Sequence, residues 1–248
     1  MTKLTASTAE SLVASSTRLA RERAADLSVA DLADHAGYSP FHFARLFARH
    51  VGIGPGQYLT ALRIDRAKQL LLTETESVID VATAVGFDSL SSFSRRFRST
   101  VGVPPAQLRR LADRISDKPP RPFSLLSPGI ECVRVTIELP ADFSPRGDAA
   151  LWVGWYPHPA PIGLPLSGAL ISGVTEVSMP LCPGAPFLLG FAVPAQADPM
   201  AQLVPPEPMV GVHPAPLTAS ADVTLRFETS PTARRMPLLT ALPSLCTR

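Results

Sequence analysis

The feature that most constrains this chain is an internal repeat in its first half. A shift of 50 residues places seven side chains on identical partners, and a shift of 49 places Ala33 and Gly37 on Ala82 and Gly86. Two copies of one structural unit follow, with one extra residue in the turn of the second copy. The pairs at a shift of 50 are Phe43/Phe93, Arg45/Arg95, Phe47/Phe97, Val51/Val101, Gly52/Gly102, Pro55/Pro105 and Gln57/Gln107.

Apolar residues around this repeat recur at helical spacing, and turn residues separate the runs. In each copy a short helix with a small residue precedes a glycine turn and a second helix, which is the logic of a helix-turn-helix unit. Ser28 and Ser39 have the character of N-caps, the latter followed by Pro40. The phenylalanines of both copies are predicted core. We predict long helices over 9–25, 40–51, 57–72, 89–101 and 107–115, with short helices after Ser28 and over 77–85.

Two segments of the repeat resemble a known family. They are ADLADHAGYSPFHFARLFARHVGIGPGQYL and DVATAVGFDSLSSFSRRFRSTVGVPPAQLRR, and the second carries a glycine–aromatic turn, two helix phenylalanines and a G-x-x-P end. Residues 28–111 are similar to the paired helix-turn-helix domain of AraC/XylS-type transcriptional regulators. The resemblance implies a recognition helix in each unit and a spacer helix over 57–72. In most members this domain is C-terminal, whereas here it comes first.

Outward-facing side chains of the two recognition helices are the candidate DNA contacts. Arg45 and Arg95 are predicted to read bases, because arginine can bond guanine O6 and N7 together. Phe41 and Leu90 are suited to contact thymine methyl groups. The remaining candidates either are suited to contact phosphates or are residues that face outward. An exposed helical arginine can also be a solvated charge, and this alternative stays open for Arg49. The full set is Ser39, Phe41, His42, Arg45, Arg49, Ser89, Leu90, Ser91, Ser94, Arg95, Arg96 and Arg98, with the same alternative open for Arg96 and Arg98.

Charge and proline divide the chain near residue 118. Residues 1–118 hold 16 Lys and Arg against 12 Asp and Glu, whereas residues 119–248 hold 7 against 9. The basic half is suited to a polyanion. Of the 27 prolines, 23 lie beyond residue 118, and long helices cannot carry that density.

Short alternating runs in the second half predict strands. They lie at 132–139, 151–156, 187–193 and 222–228, with weaker candidates at 168–172 and 174–179. Such runs, separated by Pro and Gly turns, favour an antiparallel β-sandwich. The expected organisation is therefore an all-α paired helix-turn-helix domain over 1–115, a proline-rich linker over 116–129 and a β-sandwich over 130–248.

The run LWVGWYP carries three large aromatic residues. Trp152 and Trp155 point to opposite faces of a strand, so they cannot both belong to the core of a single layer. We therefore expect Trp152, Trp155 and Tyr156 to include residues that line an effector pocket or an interface. The alternative is that one tryptophan only covers a sheet edge.

The sequence does not contain the motifs that are typical of several other classes of function. The three cysteines form no CxxC, and no hydrolase, P-loop or dinucleotide motif occurs, so we expect no enzyme, metal site or cofactor. No signal-peptide pattern or long apolar run is present, and the cytoplasm is the expected compartment. The leading interpretation is a DNA-binding regulator whose second domain senses a ligand or dimerises. The alternative is a DNA-binding protein whose sandwich is structural or binds a protein. Duplex DNA is the expected partner, with RNA polymerase, a small-molecule effector and a second copy of the chain as further candidates.

Overall fold

The computed structural model describes residues 6–73, 75–110, 122–126, 129–145, 151–194, 203–204 and 209–228. The end of the predicted helix 107–115 and most of the expected linker 116–129 lie outside these residues. The helices are α1 (Ala6–Arg23), α2 (Val29–His35), α3 (Pro40–Val51), α4 (Pro55–Thr73), α5 (Val78–Ala84) and α6 (Leu90–Val101), and residues 105–110 are also helical. Over the described residues the predicted helices are confirmed, although α1 covers 6–23 rather than the predicted 9–25 and α4 begins at Pro55, two residues earlier than predicted.

Local sequence explains where these helices begin and end. Ser28 and Asp31 form a complete capping box, and the hydrogen bonds from the Ser28 hydroxyl and N–H hold the pKa of the Asp31 carboxyl below its usual value. Ser39 caps α3, where its hydroxyl oxygen accepts from the N–H of His42. Gly52 and Gly102 end the two recognition helices with φ of 85° and 96°, in the left-handed region that favours glycine.

Each helical unit has its own core. In the first unit Phe43 and Phe47 of α3 are fully buried with Tyr58 of α4, and in the second Phe93 and Phe97 of α6 take the same positions. The predicted core phenylalanines are therefore confirmed. Because α4 contributes to both cores, it joins the two units as one long spacer helix.

The strand-rich half is one curled sheet of eight strands in the order β1-β4-β3-β6-β7-β8-β2-β5. The strands are β1 (Phe123–Leu125), β2 (Cys132–Glu138), β3 (Leu151–Tyr156), β4 (Ser167–Ile171), β5 (Glu176–Pro180), β6 (Phe187–Ala192), β7 (Met209–Val212) and β8 (Ala221–Glu228).

This architecture differs from the expected antiparallel β-sandwich. The first part of β8 pairs with β2 in parallel, and its last two residues pair with β7 in the antiparallel sense. Because β8 has a neighbour on each side, it joins all the strands into one sheet that curls around its own core. Val135, Val153, Trp155 and Phe227 lie in that core.

Both faces of β3 are buried. Trp155 points into the core of the sheet, while Trp152 lies on the opposite face and is also fully buried. Glycine makes room for the Trp152 ring, since a Cβ added at Gly168 would lie 2.2 Å from its Cζ2. Neither tryptophan is exposed, and their assignment to an effector pocket or an interface stays a prediction.

A segment of the strand-rich half packs against the helices. We call residues 157–164, which follow β3, the strap. Ala160 is fully buried in the core of the first helical unit, and Ile162 packs against the cores of both units. Pro159 lies close to Gly52 at the end of α3. Outside the strap, Leu203 is buried in the core of the second unit, so the two halves share core residues.

A matched pair of glycine substitutions tests how closely the helical units pack. Gly37 and Gly86 both have positive φ, but only a Cβ at Gly86 meets a neighbour, Ala25 O at 2.1 Å. We expect Gly37→Ala to lower the free energy of unfolding by about 1–2 kcal/mol through the left-handed backbone alone. Gly86→Ala should cost about 1–3 kcal/mol more, because the contact is overpacked. Urea unfolding of both variants measures this, and equal losses would contradict the packing described.

Candidate nucleic-acid interface

The first recognition helix, α3, presents one face to solvent and the other to the core. Phe41, Arg45 and Arg49 are exposed at intervals of four residues, opposite the buried phenylalanines. Phe41 is 74% exposed, which is unusual for so large an apolar side chain. The Arg45 guanidinium carbon lies 5.8 Å from the centre of the Phe41 ring, and the two side chains form a cation–π pair on this face.

His42 is held beside the same face. Its ring stacks on Tyr38 at a centroid distance of 4.9 Å and an interplanar angle of 6°. Tyr38 comes from the glycine turn, so the aromatic residue that follows the turn orients a candidate contact residue. Ser39, also exposed, caps the helix next to it.

The second recognition helix, α6, repeats this plan with different side chains. Leu90 is 40% exposed, Ser91, Arg95 and Arg98 are also exposed, and Ser94 is half-buried. Ser89 caps the helix, where its hydroxyl oxygen accepts from the N–H of Ser92. The candidates at equivalent positions, Arg45 and Arg95, are therefore both exposed on the side away from their phenylalanines.

Arg96 lies apart from the other candidates of α6. At 3.6 residues per turn it is turned by about 160° around the helix from Arg98. It lines a cavity together with Ser99, Thr100 and the strap. The structure therefore brings Arg95 and Arg98 to one face of α6 and Arg96 to another, and the predicted phosphate contact of Arg96 stays a prediction.

The charge on the two helices has one sign. The segments PFHFARLFARHV and LSSFSRRFRSTV contain five arginines and no aspartate or glutamate. Each helix also begins with a serine cap and unpaired backbone N–H groups, which favour an anion. The two faces are thus suited to a polyanion with both phosphates and hydrogen-bonding bases.

A single arginine of α4 fixes the position of one unit against the other. Arg63 donates from Nε to Ala24 O at 2.8 Å, from Nη2 to Ala25 O at 3.4 Å and Leu27 O at 2.9 Å, and from Nη1 to Gly86 O at 2.9 Å. The first three carbonyls precede α2, whereas Gly86 is the turn of the second unit. Arg63 therefore ties both units to the spacer helix.

Comparisons with known proteins agree with this geometry. A family model described as a helix-turn-helix domain matches residues 32–111. The transcriptional activator AarP of Providencia stuartii is 41% identical over 87 residues, which are 35% of this chain and 64% of AarP. Residues 32–111 are therefore similar to an AraC-type helix-turn-helix domain. The uncharacterized transcriptional regulator YobQ of Bacillus subtilis is 35% identical over 83 residues, which are 34% of each protein.

The similarity to these relatives covers only part of the chain. The chain spans 64% and 34% of the lengths of these two curated relatives, and the matches cover about a third of its own length. Among solved structures, the DNA-binding domain of AdpA, in complex with a target DNA, is 31% identical with a TM-score of 0.40. That likeness covers 43% of this chain and 96% of the AdpA domain.

The strand-rich half carries the remaining candidates. Trp152, Trp155 and Tyr156 are at most 1% exposed, and they line none of the three cavities found among the described residues. The indole Nε1 of Trp155 has no hydrogen-bond partner within the part of the chain that the structure describes. Over the same residues, no helix is long and apolar enough to cross a membrane, and no cluster of metal-binding side chains is found.

Sequence reasoning missed Arg63 and the strap. Arg63 bonds carbonyls 23 to 39 positions away, a distance at which periodicity carries no information. The strap reads PHPAPIGL, and its three prolines favour a loop when the sequence is taken alone. The one available signal was its small and apolar residues, which are uncommon in a solvated turn.

The role of Arg63 can be tested against a neighbour on the same helix. Arg63→Gln removes the charged donor from four carbonyls, and we expect the free energy of unfolding to fall by about 1.5–3 kcal/mol. Arg66→Gln is the control, since Arg66 is exposed and, among the described residues, donates only to Gln69 Oε1 at 3.1 Å; this variant should change stability by less than about 0.5 kcal/mol. Urea unfolding followed by far-UV circular dichroism compares them. Equal stability of the two variants would show that Arg63 does not hold the units together.

Proposed function

We propose that this chain is a sequence-specific DNA-binding transcriptional regulator that reads two successive major grooves. The observation that carries the proposal is the duplicated recognition helix, exposed, rich in arginine and free of acidic residues in both copies. The AraC-type domain and the printed functions of AarP and YobQ support the same conclusion. Duplex DNA is the partner that fits both helices at once.

The length of the spacer helix determines how far apart the two recognition helices lie. Two recognition helices on one side of a duplex enter successive major grooves when they lie roughly 34 Å apart. The 19 residues of α4 span about 28 Å, which is compatible with this separation once the widths of the flanking helices are added. Within each groove, Arg45 and Arg95 would contact bases, and Ser39, His42, Arg49, Ser89 and Arg98 would contact phosphates.

The strand-rich half would regulate this reading by sensing a ligand or by dimerising. Its strap packs against the cores of both helical units. A conformational change in the curled sheet could therefore alter the positions of both recognition helices. The alternative is that this half only supports the AraC-type domain or binds a protein such as RNA polymerase. The assignment of Trp152, Trp155 and Tyr156 to a pocket or an interface stays a prediction.

Base and phosphate contacts can be separated by substitution. The test uses the full chain, because Ala160, Ile162 and Leu203 complete the helical cores, and DNA selected by that chain from a random pool. Arg45→Ala and Arg95→Ala should each lose about 1–3 kcal/mol of discrimination at separate base positions. Arg98→Ala should weaken all sequences alike. Unchanged base preferences in both Arg45→Ala and Arg95→Ala would refute the assigned base contacts.

The salt dependence of binding provides an independent test. Each neutralised phosphate adds about 0.9 to the slope of log affinity against log salt. Arg49→Ala and Arg98→Ala should therefore each reduce that slope by about 1, as measured by fluorescence anisotropy over a salt series. Arg18→Ala, an exposed arginine of α1 outside the candidate set, is the matched control and should leave the slope unchanged. A full chain whose DNA affinity did not depend on salt would argue against the proposed function itself.

A further inference from the structure

The strap covers a cavity at the junction of the two halves of the chain. The cavity has a volume of about 650 Å³, within the range of small-molecule sites. Its walls come from the start of α4, the second half of α6 and the strap. We call it the strap cavity. A molecule bound there would touch the spacer helix, the second recognition helix and the strand-rich half together.

Hydrogen-bond donors dominate the polar part of its wall. Arg96, Thr100 and His158 line it, and none of their side chains has a hydrogen bond or ion pair with the residues that the structure describes. Gln57 also lines it and uses its Oε1 to accept from the N–H of Gly54 at 3.1 Å, which leaves its amide NH₂ to donate. The hydroxyl of Thr60 donates to Gly56 O in its own helix and can only accept. The groups of the wall that remain available are therefore mainly hydrogen-bond donors, and a ligand that fits them must supply hydrogen-bond acceptors.

The charge of the strap cavity distinguishes it from the other two described cavities. Its lining contains Arg96 and no aspartate or glutamate. The cavity beside Gly86 contains Asp26 and Asp88, and there Arg63 already serves four backbone carbonyls. The third cavity mixes arginines with Glu22, Asp26 and Asp65. Only the strap cavity, among these three, combines an unpaired cation with an acid-free wall.

Another part of the wall is apolar. Ala61 of α4 and Ile162 and Leu164 of the strap line it. One guanidinium with an amide donor beside it matches a carboxylate, which it can bind in bidentate fashion. A phosphate monoester carries about −1.5 to −2 charges at pH 7 and would exceed the single arginine. The wall thus fits a molecule with one carboxylate and an apolar body.

DNA phosphate is the other source of an anion for Arg96, and the geometry disfavours it. Arg96 is turned by about 160° from Arg98, which lies on the exposed candidate face of α6. The apolar residues that line the same cavity suit a compact apolar body better than a charged polymer backbone. A small molecule is the occupant that the shape and the lining favour.

We propose that the strap cavity binds a small organic monocarboxylate with an apolar body, through Arg96, Gln57, Thr100 and His158. The further statement that this ligand is an effector rests on the proposed function, since it needs a DNA-binding activity to act on. A ligand there changes DNA affinity because it contacts both α6 and the strap, whose relative position can differ between two forms of the chain.

The test is calorimetric titration of the full chain with 4-phenylbutyrate, with 4-phenylbutan-1-ol as the uncharged match. We expect the carboxylate to bind at least about tenfold more tightly than the alcohol. Arg96→Gln should lose at least about tenfold in carboxylate affinity and little in alcohol affinity. Arg18→Gln removes the same charge from exposed α1, outside the strap cavity, and should bind the carboxylate as the parent chain does. Selected DNA should then be bound with altered affinity when the carboxylate is saturating.

Each other result overturns a stated part of the proposal. No binding of the carboxylate, equal binding of carboxylate and alcohol, or full binding by Arg96→Gln overturns the site. Carboxylate binding without any change in DNA affinity overturns the effector role. If the chain binds selected DNA but not the carboxylate, the proposed function stands and this inference is overturned. If the chain binds the carboxylate but no DNA, the binding site stands, and the proposed function is overturned together with the effector role that rests on it.

Discussion

The guanidinium of Arg63 joins the loop before α2, the spacer helix and the turn of the second unit through four backbone carbonyls. These carbonyls lie outside regular helices and would otherwise have to find water or another donor. A planar cation with five N–H groups can serve several of them at once, which an ammonium group cannot do in the same geometry. The arrangement of the two recognition helices, and hence any reading of two grooves, depends on this one side chain and on the close approach of Gly86 to Ala25.

The strap adds a second constraint from the other half of the chain. Ala160 is buried in the first core, and Ile162 packs against both cores. A movement of one unit relative to the other would therefore disturb the packing of the strap. Burial of apolar surface is favourable, so the buried methyl group of Ala160 and the half-buried side chain of Ile162 oppose such movement. The strand-rich half is for this reason part of the structure that holds the recognition helices and is not merely attached to them.

Short-range patterns in the sequence predicted the helical half well, and they failed where long-range pairing decides the structure. The Ser28 capping box, the Gly37 turn and the buried face of α3 each follow from residues within four positions of one another. The parallel pairing of β2 with β8 and the burial of Trp152 depend on segments far apart in the chain. Alternation in a strand shows which residues share a face, but it does not show whether the opposite face is covered. Helical periodicity in the sequence was enough to predict that Arg45 and Arg95 are exposed. The position of Arg96 could not be predicted in this way, because it lies in a cavity that the strap helps to form.

Two DNA-binding helices that are held against one spacer helix would respond sharply to small displacements. A hydrogen bond to a base edge is lost when donor and acceptor move apart by a few tenths of an ångström beyond about 3.2 Å. When the units are held rigidly, the second helix reaches its groove without a further loss of orientational freedom, as in other linked binding modules. Loosening the units removes this advantage even if every base-contacting side chain is intact. If the strap cavity binds the proposed ligand, that ligand would contact α4, α6 and the strap together and would act on the position of the second recognition helix, with Arg96 as its charged contact on α6.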